Sequence, residues 1–507
     1  MPPFDLTAIL PAAQAVRLPV GAVTTGAPPL DWVGATPFLL VTGTALATLL
    51  LDLWVPPRRR AWLAGAGLIG LLLTALVLVR GFGEGERVVG GMLILDDFSR
   101  FFHIIFLCVA ALTIMVSVRY VEEAGLPGGE YYALILFAAL GMMVMASAAD
   151  LIMIFLGLEA FSLPLYILAG FLRRQPRSNE SSLKYMLLGS FASAFLLYGI
   201  ALLYGGVGST RLTTIAGRLG QGSAWGNPLV MFGIALLLVG LGFKVAAVPF
   251  HMWLPDVYEG APTPVTAFMI AGTKAAAFAA ILRALGPPLF PLRAEWAAPL
   301  WVLAILTMGV GNVAALTQHS IKRMLAYSSI AHAGYLLVAL VAGTSRGFSG
   351  MLFYLVVYAF MNLGAFAVII AAAPQGEERP TLASVAGLGL RHPVLAFSMA
   401  VFMFSLAGLP PTGGFVGKFY IFSAAVEANY VGLALIAVLC SVVSVFFYLR
   451  VVVAMYMEEP REGAASPVMS LGIVITVGVA MAVILQMGLL PGRVWDLAVR
   501  TVQGFWG

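Results

Sequence analysis

The chain has 507 residues, 61% of them hydrophobic and only 10% charged, with a formal net charge of +5. Soluble domains carry about 25% charged residues, so the composition excludes a soluble globular protein and points to a polytopic membrane protein. The positive balance comes from Arg between apolar runs and, with no basic tract of interleaved aromatics, gives no case for nucleic acid.

Residues 1–33 are rich in Pro and Ala and give no assignable element. They lack the basic start and clean apolar core of a cleaved signal peptide. Apolar stretches then predict about fourteen membrane helices, over 34–54, 61–80, 98–119, 129–148, 150–172, 183–206, 228–258, 262–286, 297–317, 321–343, 347–372, 393–428, 430–457 and 467–491. The seventh and twelfth are too long for one simple helix. They contain GFKVAAVPFHMW (242–253) and AGLPPTGGFVGKF (407–419), each with Gly, Pro and a Lys. Cys108 and Cys440 stand alone in apolar runs, which excludes a disulfide framework or a thiolate cluster.

Fourteen spans put both termini on one side. Arg58, Arg59 and Arg60 follow the first span and Arg173, Arg174 and Arg177 the fifth, so the positive-inside rule places both loops in the cytoplasm and both termini outside. Counted over all segments, the cytoplasmic side holds 13 Lys and Arg and the outer side 11, so the full count favours this orientation only slightly. Glu159 precedes Lys244 by 85 residues, and His332 precedes Lys418 by 86. Five spans separate Glu159 on the fifth from His332 on the tenth, and Lys244 on the seventh from Lys418 on the twelfth, and that odd offset inverts one unit against the other. Inverted repeats with paired broken helices are a transporter signature. The division is then 1–128 for an N-terminal segment and three helices, 129–287 for the first repeat, 296–457 for the inverted second, and 458–507 for a last membrane helix and tail.

The basic residues comprise only five Lys against 23 Arg. Lys184, Lys244, Lys274 and Lys418 lie in apolar stretches, whereas Arg clusters between them. Burial readily lowers a lysine's pKa, while Arg stays charged. The pattern therefore reads as Arg for fixed surface charge and Lys for buried sites where a proton comes and goes. Each charge at the bilayer centre costs about 2.5–3.5 kcal/mol on insertion scales, so neutralising, pairing or hydrating these lysines is required. Glu159, in IFLGLEAFSLPLYIL, is the one carboxylate deep in a span, and Lys184 on the next span is its expected partner; a static ion pair is the bland alternative. Pro249 breaks the helix beyond Lys244, and freed backbone groups imply a hydrated pocket there. His251 serves equally as a shuttle or as a structural histidine. Lys274 lies mid-span among small residues, Lys418 follows the second break, and His332 sits mid-span as a relay candidate. His103 reads as structural. Asp150 marks a helix end, and Lys322 with Arg323 anchors a helix at the cytoplasmic surface.

Other motifs fail on context. GVGNVA (309–314) mimics a dinucleotide fingerprint inside a membrane span, and GGVGST (205–210) lacks the phosphate-loop lysine. His251, His319 and His332 lack metal-ligand spacing. With no redox or nucleotide motif, the chain cannot itself supply the roughly 2.3 kcal/mol per 100 mV that a charge needs to cross the membrane potential. A partner or an ion gradient must.

GLEAFSLPLYIL (157–168), SLKYMLLGSFASAFLLYG (182–199), GLGFKVAAVPFHMWLPDVYEGAPTPV (240–265), IKRMLAYSSIAHAGYLLVAL (321–340) and SLAGLPPTGGFVGKFY (405–420) resemble the subunit N family of bacterial respiratory complex I, the proton-pumping NADH-quinone oxidoreductase. The resemblance runs from about residue 90 to 457. The third and fourth motifs are shared across all antiporter-like subunits; the first two are closer to subunit N. In the subunit M family the residue after the second break is usually Glu, where this chain has Lys418. The resemblance implies an all-α membrane fold of fourteen helices with two inverted five-helix units. It implies an intake pair of Glu159 and Lys184, a central relay of Lys244 and Lys274, and Lys418 on the exit side. NADH, FMN, iron-sulfur clusters and quinone would bind partner subunits and none this chain. Its partners would be other membrane-arm subunits, including neighbouring antiporter-like ones, in the lipid of a bacterial inner membrane. The expected function is proton translocation through Glu159, Lys184, Lys244, Lys274, Lys418, His251 and His332, coupled to quinone reduction elsewhere in the complex. A subunit of a multi-subunit sodium/proton antiporter or of a membrane-bound hydrogenase would share this chemistry; a structural scaffold would not need the lysines.

Overall fold

In the computed structural model, which describes residues 31–56, 61–222, 226–373, 380–460 and 467–506, thirteen helices are long and apolar enough to cross a membrane. The chain is an all-α multi-pass membrane protein. Arg58, Arg59 and Arg60 and nearly all of the N-terminal segment lie outside the described residues.

In chain order the helices are α1 (Trp32–Leu51), α2 (Ala61–Arg80), α3 (Asp97–Glu123), α4 (Gly128–Ala146), α5 (Leu151–Ala169), α6 (Pro176–Val207), α7 (Leu212–Gly220), α8 (Pro228–Val245), α9 (Trp253–Gly260), α10 (Thr263–Phe268), α11 (Lys274–Leu285), α12 (Arg293–Leu316), α13 (Ile321–Ala342), α14 (Ser345–Ala372), α15 (Leu388–Arg391), α16 (Pro393–Ala407), α17 (Gly413–Glu427), α18 (Val431–Met457), α19 (Leu471–Leu489) and α20 (Gly492–Trp506). A short hairpin, β1 (Arg87–Val89) with β2 (Leu93–Leu95), precedes α3. A π-helical turn, Met269–Thr273, joins α10 to α11 within one span. The twelfth predicted span is two half-helices, α16 and α17. At 15 residues each, neither is long enough to cross a membrane alone.

Both expected breaks are present, and each has a chemical cause. α8 ends at Ala246 in the left-handed region (φ 58°), followed by a cis Val248–Pro249 bond; α16 ends at Gly408 (φ 83°), followed by a cis Pro410–Pro411 bond. The carbonyls freed at α8 are taken up locally. Trp253 Nε1 donates to Phe243 O at 3.0 Å, and Ala247 N to Gly242 O at 2.8 Å. The two lysines lie on opposite sides of their breaks: Lys244 precedes Ala246, whereas Lys418 follows Gly408 in the next half-helix. The matched 85- and 86-residue spacings therefore do not reflect matched backbone register.

The hairpin, the amphipathic α7 and the amphipathic α20 were not anticipated, because apolar-run counting sees only spans. The expected C-terminal tail is α20. Trp495 stacks on Tyr420 of α17 (3.8 Å between centroids), Phe505 stacks on Phe98 (4.4 Å), and Trp506 on Phe348 (5.2 Å). Asp150 caps α5 as expected, accepting from Ile152 N at 2.8 Å.

Not every Arg provides surface charge. Arg100 and Arg283 are buried, and each has an Asp within reach because both sit near the hairpin end of their helices. Arg100 pairs with Asp97 at 2.9 Å and Arg283 with Asp96 at 2.6 Å. Burial pushes the Asp96 carboxyl up. The Arg283 charge and the hydrogen bonds from Arg283 and Ser99 outweigh it and hold Asp96 below the usual carboxylate range. A depressed pKa gives stability that is complete above the unfolded value, 3.8, and is lost as pH falls below it. We expect acid destabilisation of the purified complex to include this step. Asp96→Asn should lower thermal stability at pH 7 and narrow the gap from wild type as pH approaches 3, measured by thermal scans in detergent; a gap that stays constant or widens would contradict the pairing.

Candidate functional site

The candidate site is a set of three buried lysines, Lys244 and Lys418 at the two breaks and Lys274 between them in the chain. Lys244 occupies the last turn of α8, where the helix dipole favours a cation. Its Nζ donates to Ser162 Oγ of α5 at 2.8 Å and to Tyr185 OH of α6 at 3.3 Å, and lies 4.5 Å from the Phe161 ring centroid. Trp253, just past the break, stacks on Tyr185 at 4.6 Å, so both halves of the broken span wall the lysine in. Glu159 lies one turn before Ser162 on α5. Its carboxylate accepts from Ser193 Oγ.

Lys274 begins α11 directly after the π-turn, a local distortion frequently found at functional sites. Its Nζ donates to Ser329 O of α13 and lies 5.5 Å from the Tyr358 ring of α14. His332, on α13, is buried between tyrosines. Its Nε2 meets Tyr448 OH at 3.0 Å, and Nδ1 meets Tyr354 OH. Lys418 folds back from α17 onto the end of α16, donating to Leu406 O, Ala407 O and Ser441 Oγ, each at 2.9 Å. It lies 4.9 Å from the Tyr335 ring. Gly408 makes this approach possible: a Cβ there would fall 2.8 Å from Lys418 Cδ, and its φ of 83° disfavours other residues. Lys244 and Lys418 thus each place an ammonium at the C-terminal end of a half-helix, one from within it and one from beyond the break.

These three lysines are 4%, 2% and 4% exposed, and none makes an ion pair among the described residues. Neutral hydroxyls, carbonyls and rings hold them. An ammonium held this way can lose its proton without stranding a buried carboxylate, which a salt-bridged one cannot.

Two expected arrangements are corrected. Lys184 does not pair with Glu159. It is 39% exposed and pairs with Glu180 and Asp256, each at 2.7 Å. Glu159 instead reaches Ser193, nine residues further along α6, which is about 13 Å of rise and half a turn of rotation away from Lys184. Lys322 is not a surface anchor. It is fully buried and donates to Ala261 O at 2.7 Å and Thr263 Oγ1 at 3.3 Å, because the α9–α10 junction packs over the start of α13. Arg323 takes the outward position and binds Asp256 at 2.8 Å and Glu259 at 2.9 Å. Asp256 therefore joins Lys184 of α6 to Arg323 of α13, beside a polar cavity of about 110 Å³ lined by Arg177, Ser181 and Glu259 among others. Sequence reading missed both carboxylates as partners. Their signal is the three-residue spacing in DVYEG, which puts them on one face of α9. His251 lies in the first break, half-buried. His103 is buried against Ser147 Oγ at 2.9 Å and Met143 O at 3.0 Å.

The profile of the family described as NADH:quinone oxidoreductase/Mrp antiporter, TM, matches residues 148–444, a stretch that contains both breaks and all five lysines. The NADH-quinone oxidoreductase subunit N of Trichlorobacter lovleyi is 48% identical over 92% of this chain and 96% of that protein. The chain belongs to this family, in its subunit N branch. The subunit N of Chloroflexus aggregans is 46% identical over 94% of this chain and 98% of its own length. Among solved structures, a chain of respiratory complex I from Thermus thermophilus with bound aureothin superposes with a TM-score of 0.79 at 39% identity, covering 91% of this chain and 99% of that one. A chain of the Mrp complex from a Dietzia species reaches a TM-score of 0.82 at 21% identity, over 94% and 98% of the two chains. At that identity the likeness shows a shared fold alone. The subunit N relatives cover 92% and 94% of this chain, more than the stretch 148–444 that the family profile matches.

Proposed function

We propose that this chain is a proton-translocating membrane subunit of an NADH-quinone oxidoreductase, conducting protons along Lys244, Lys274, His332 and Lys418. The observation that carries the relay is that three buried lysines are hydrogen-bonded by neutral groups alone. Glu159 sets the protonation of Lys244 through its charge. Lys184, tied to Asp256 and Glu180, is a fixed charge at the intake mouth, with Arg323 beside it. His251, in the hydrated first break, passes protons between that mouth and Lys244. The mouth faces the cytoplasm of a bacterial inner membrane, and both termini face the periplasm. The two broken-helix units, 129–287 and 296–457, each contribute one half of the path. Redox energy arrives from partner subunits, which bind NADH, FMN, iron-sulfur clusters and quinone; neighbouring antiporter-like subunits and lipid flank this chain.

Lys274→Met and Lys418→Met test the relay. Each is expected to reduce quinone-coupled acidification of membrane vesicles by about tenfold or more in fully assembled complex. Wild-type acidification in both would overturn the relay.

A further inference from the structure

His332 occupies a setting that the three lysines alone do not explain. Both of its ring nitrogens face phenol hydroxyls from other helices, Tyr354 of α14 and Tyr448 of α18. Tyr448 OH is also hydrogen-bonded to Ser328 Oγ on α13. Ser328 adjoins Ser329, whose carbonyl holds Lys274. At the other end, the Tyr354 ring lies against Gly417, the residue before Lys418; a Cβ at 417 would fall 2.5 Å from ring Cδ2. All of these side chains are fully buried. The hydrogen bonds Ser328–Tyr448–His332–Tyr354 thus form one continuous string between the neighbourhoods of the second and third lysines.

Packing does not require the hydroxyls. Phe would fill the same space as either Tyr without a polar group to desolvate, and burying a phenol is favourable only if its hydrogen bond is made. Neither Tyr satisfies a carboxylate or caps a helix in this string. Each satisfies the imidazole, a group that both accepts and donates.

We propose that Ser328, Tyr448 and Tyr354 are relay groups that carry the proton through His332 between Lys274 and Lys418. The inference rests on the proton-conducting reading above. The transfer balances without any co-reactant. A proton from the Lys274 side binds Ser328 Oγ, whose own proton passes to the Tyr448 oxygen. Tyr448 passes its hydroxyl proton to Nε2, and Nδ1 releases its proton to the Tyr354 oxygen. Tyr354 gives its original proton onward to the Lys418 side, and water completes the two outer intervals. Each group ends with the number of protons it began with. The imidazole is left as the opposite tautomer, and resetting the string takes reorientation of the His332 ring as well as rotation of the hydroxyls.

The test uses assembled complex in native membrane vesicles. Tyr448→Phe and Tyr354→Phe each remove one oxygen and retain the ring. Both are expected to cut protons pumped per NADH oxidised by about tenfold, with NADH oxidation by an artificial electron acceptor unchanged. A purely structural role predicts lower thermal stability, from the unpaired imidazole nitrogen, with wild-type pumping per assembled complex, and that pumping result in both variants overturns the proposal. Should either variant fail to assemble, Ser328→Ala interrupts the same string at its next atom and decides in its place. Lys244→Met separates the two readings. Loss of pumping there with normal pumping in the tyrosine variants sinks only this inference; normal pumping in Lys244→Met sinks the proton-conducting reading itself.

Discussion

Lys244→Met is expected to lower quinone-coupled proton pumping by about 100-fold while leaving the complex assembled. Methionine keeps the length and apolar stem of lysine, so Phe161, Tyr185 and Trp253 retain their packing. What is lost is an amine that can be charged or neutral. Lys244→Arg sharpens the test. If Lys244 serves only as a fixed charge at the end of α8, Arg supplies the same charge and restores function. If the residue must release its proton, Arg fails as Met does, because a guanidinium does not deprotonate in a protein. Vesicle acidification driven by NADH, normalised to assembled complex on native gels, measures both. Pumping restored by Arg would overturn the relay role of Lys244 while leaving an electrostatic role intact.

Gly414→Ala is expected to remove the chain from the assembled complex. Gly414 begins the second half of the broken twelfth span, and its N–H donates to Ser405 Oγ at 3.2 Å. A Cβ at this position would fall 1.8 Å from Ser405 O and 2.7 Å from Ser405 C. Both are backbone atoms of α16, so no side chain can turn away. Overpacking in a core typically costs about 1–3 kcal/mol, and more where backbone must move. Here the movement would also pull Lys418 from Leu406 O and Ala407 O. Gly432 on α18 provides the control, because an added Cβ there meets nothing within 4 Å. Native gels and thermal scans of the two variants should diverge. Equal assembly and stability would show that α16 and α17 do not need their close approach.

The spans were legible in the sequence because their signal is local. About 20 apolar residues in a row specify a membrane helix whatever it later packs against. The breaks were equally legible, since a Pro near Gly and Lys in an apolar run leaves backbone groups that only a re-entrant geometry satisfies. Lys244, Lys274 and Lys418 stood out for the same reason: a charge inside an apolar run is costly wherever the run goes.

Which groups face one another was not legible. Sequence order makes Lys184, on the next span, the natural partner for Glu159, but nine helical residues separate its position from the one Glu159 reaches, and α9 brings Asp256 alongside it instead. Lys322, next to Arg323 at a helix start, resembled a surface anchor until the α9–α10 junction closed over it. The tyrosines around His332 lie 22 and 116 residues away from it on other helices, and nothing in their local sequence marks them. The sequence by itself determined the membrane spans, the two breaks and the buried lysines, because hydropathy and helix-breaking act over a turn or two of chain. Only the tertiary structure decided the ion pairs, the burial of Lys322 and the string of hydroxyls through His332. Those depend on helix rotation and crossing, which are set by packing between distant segments.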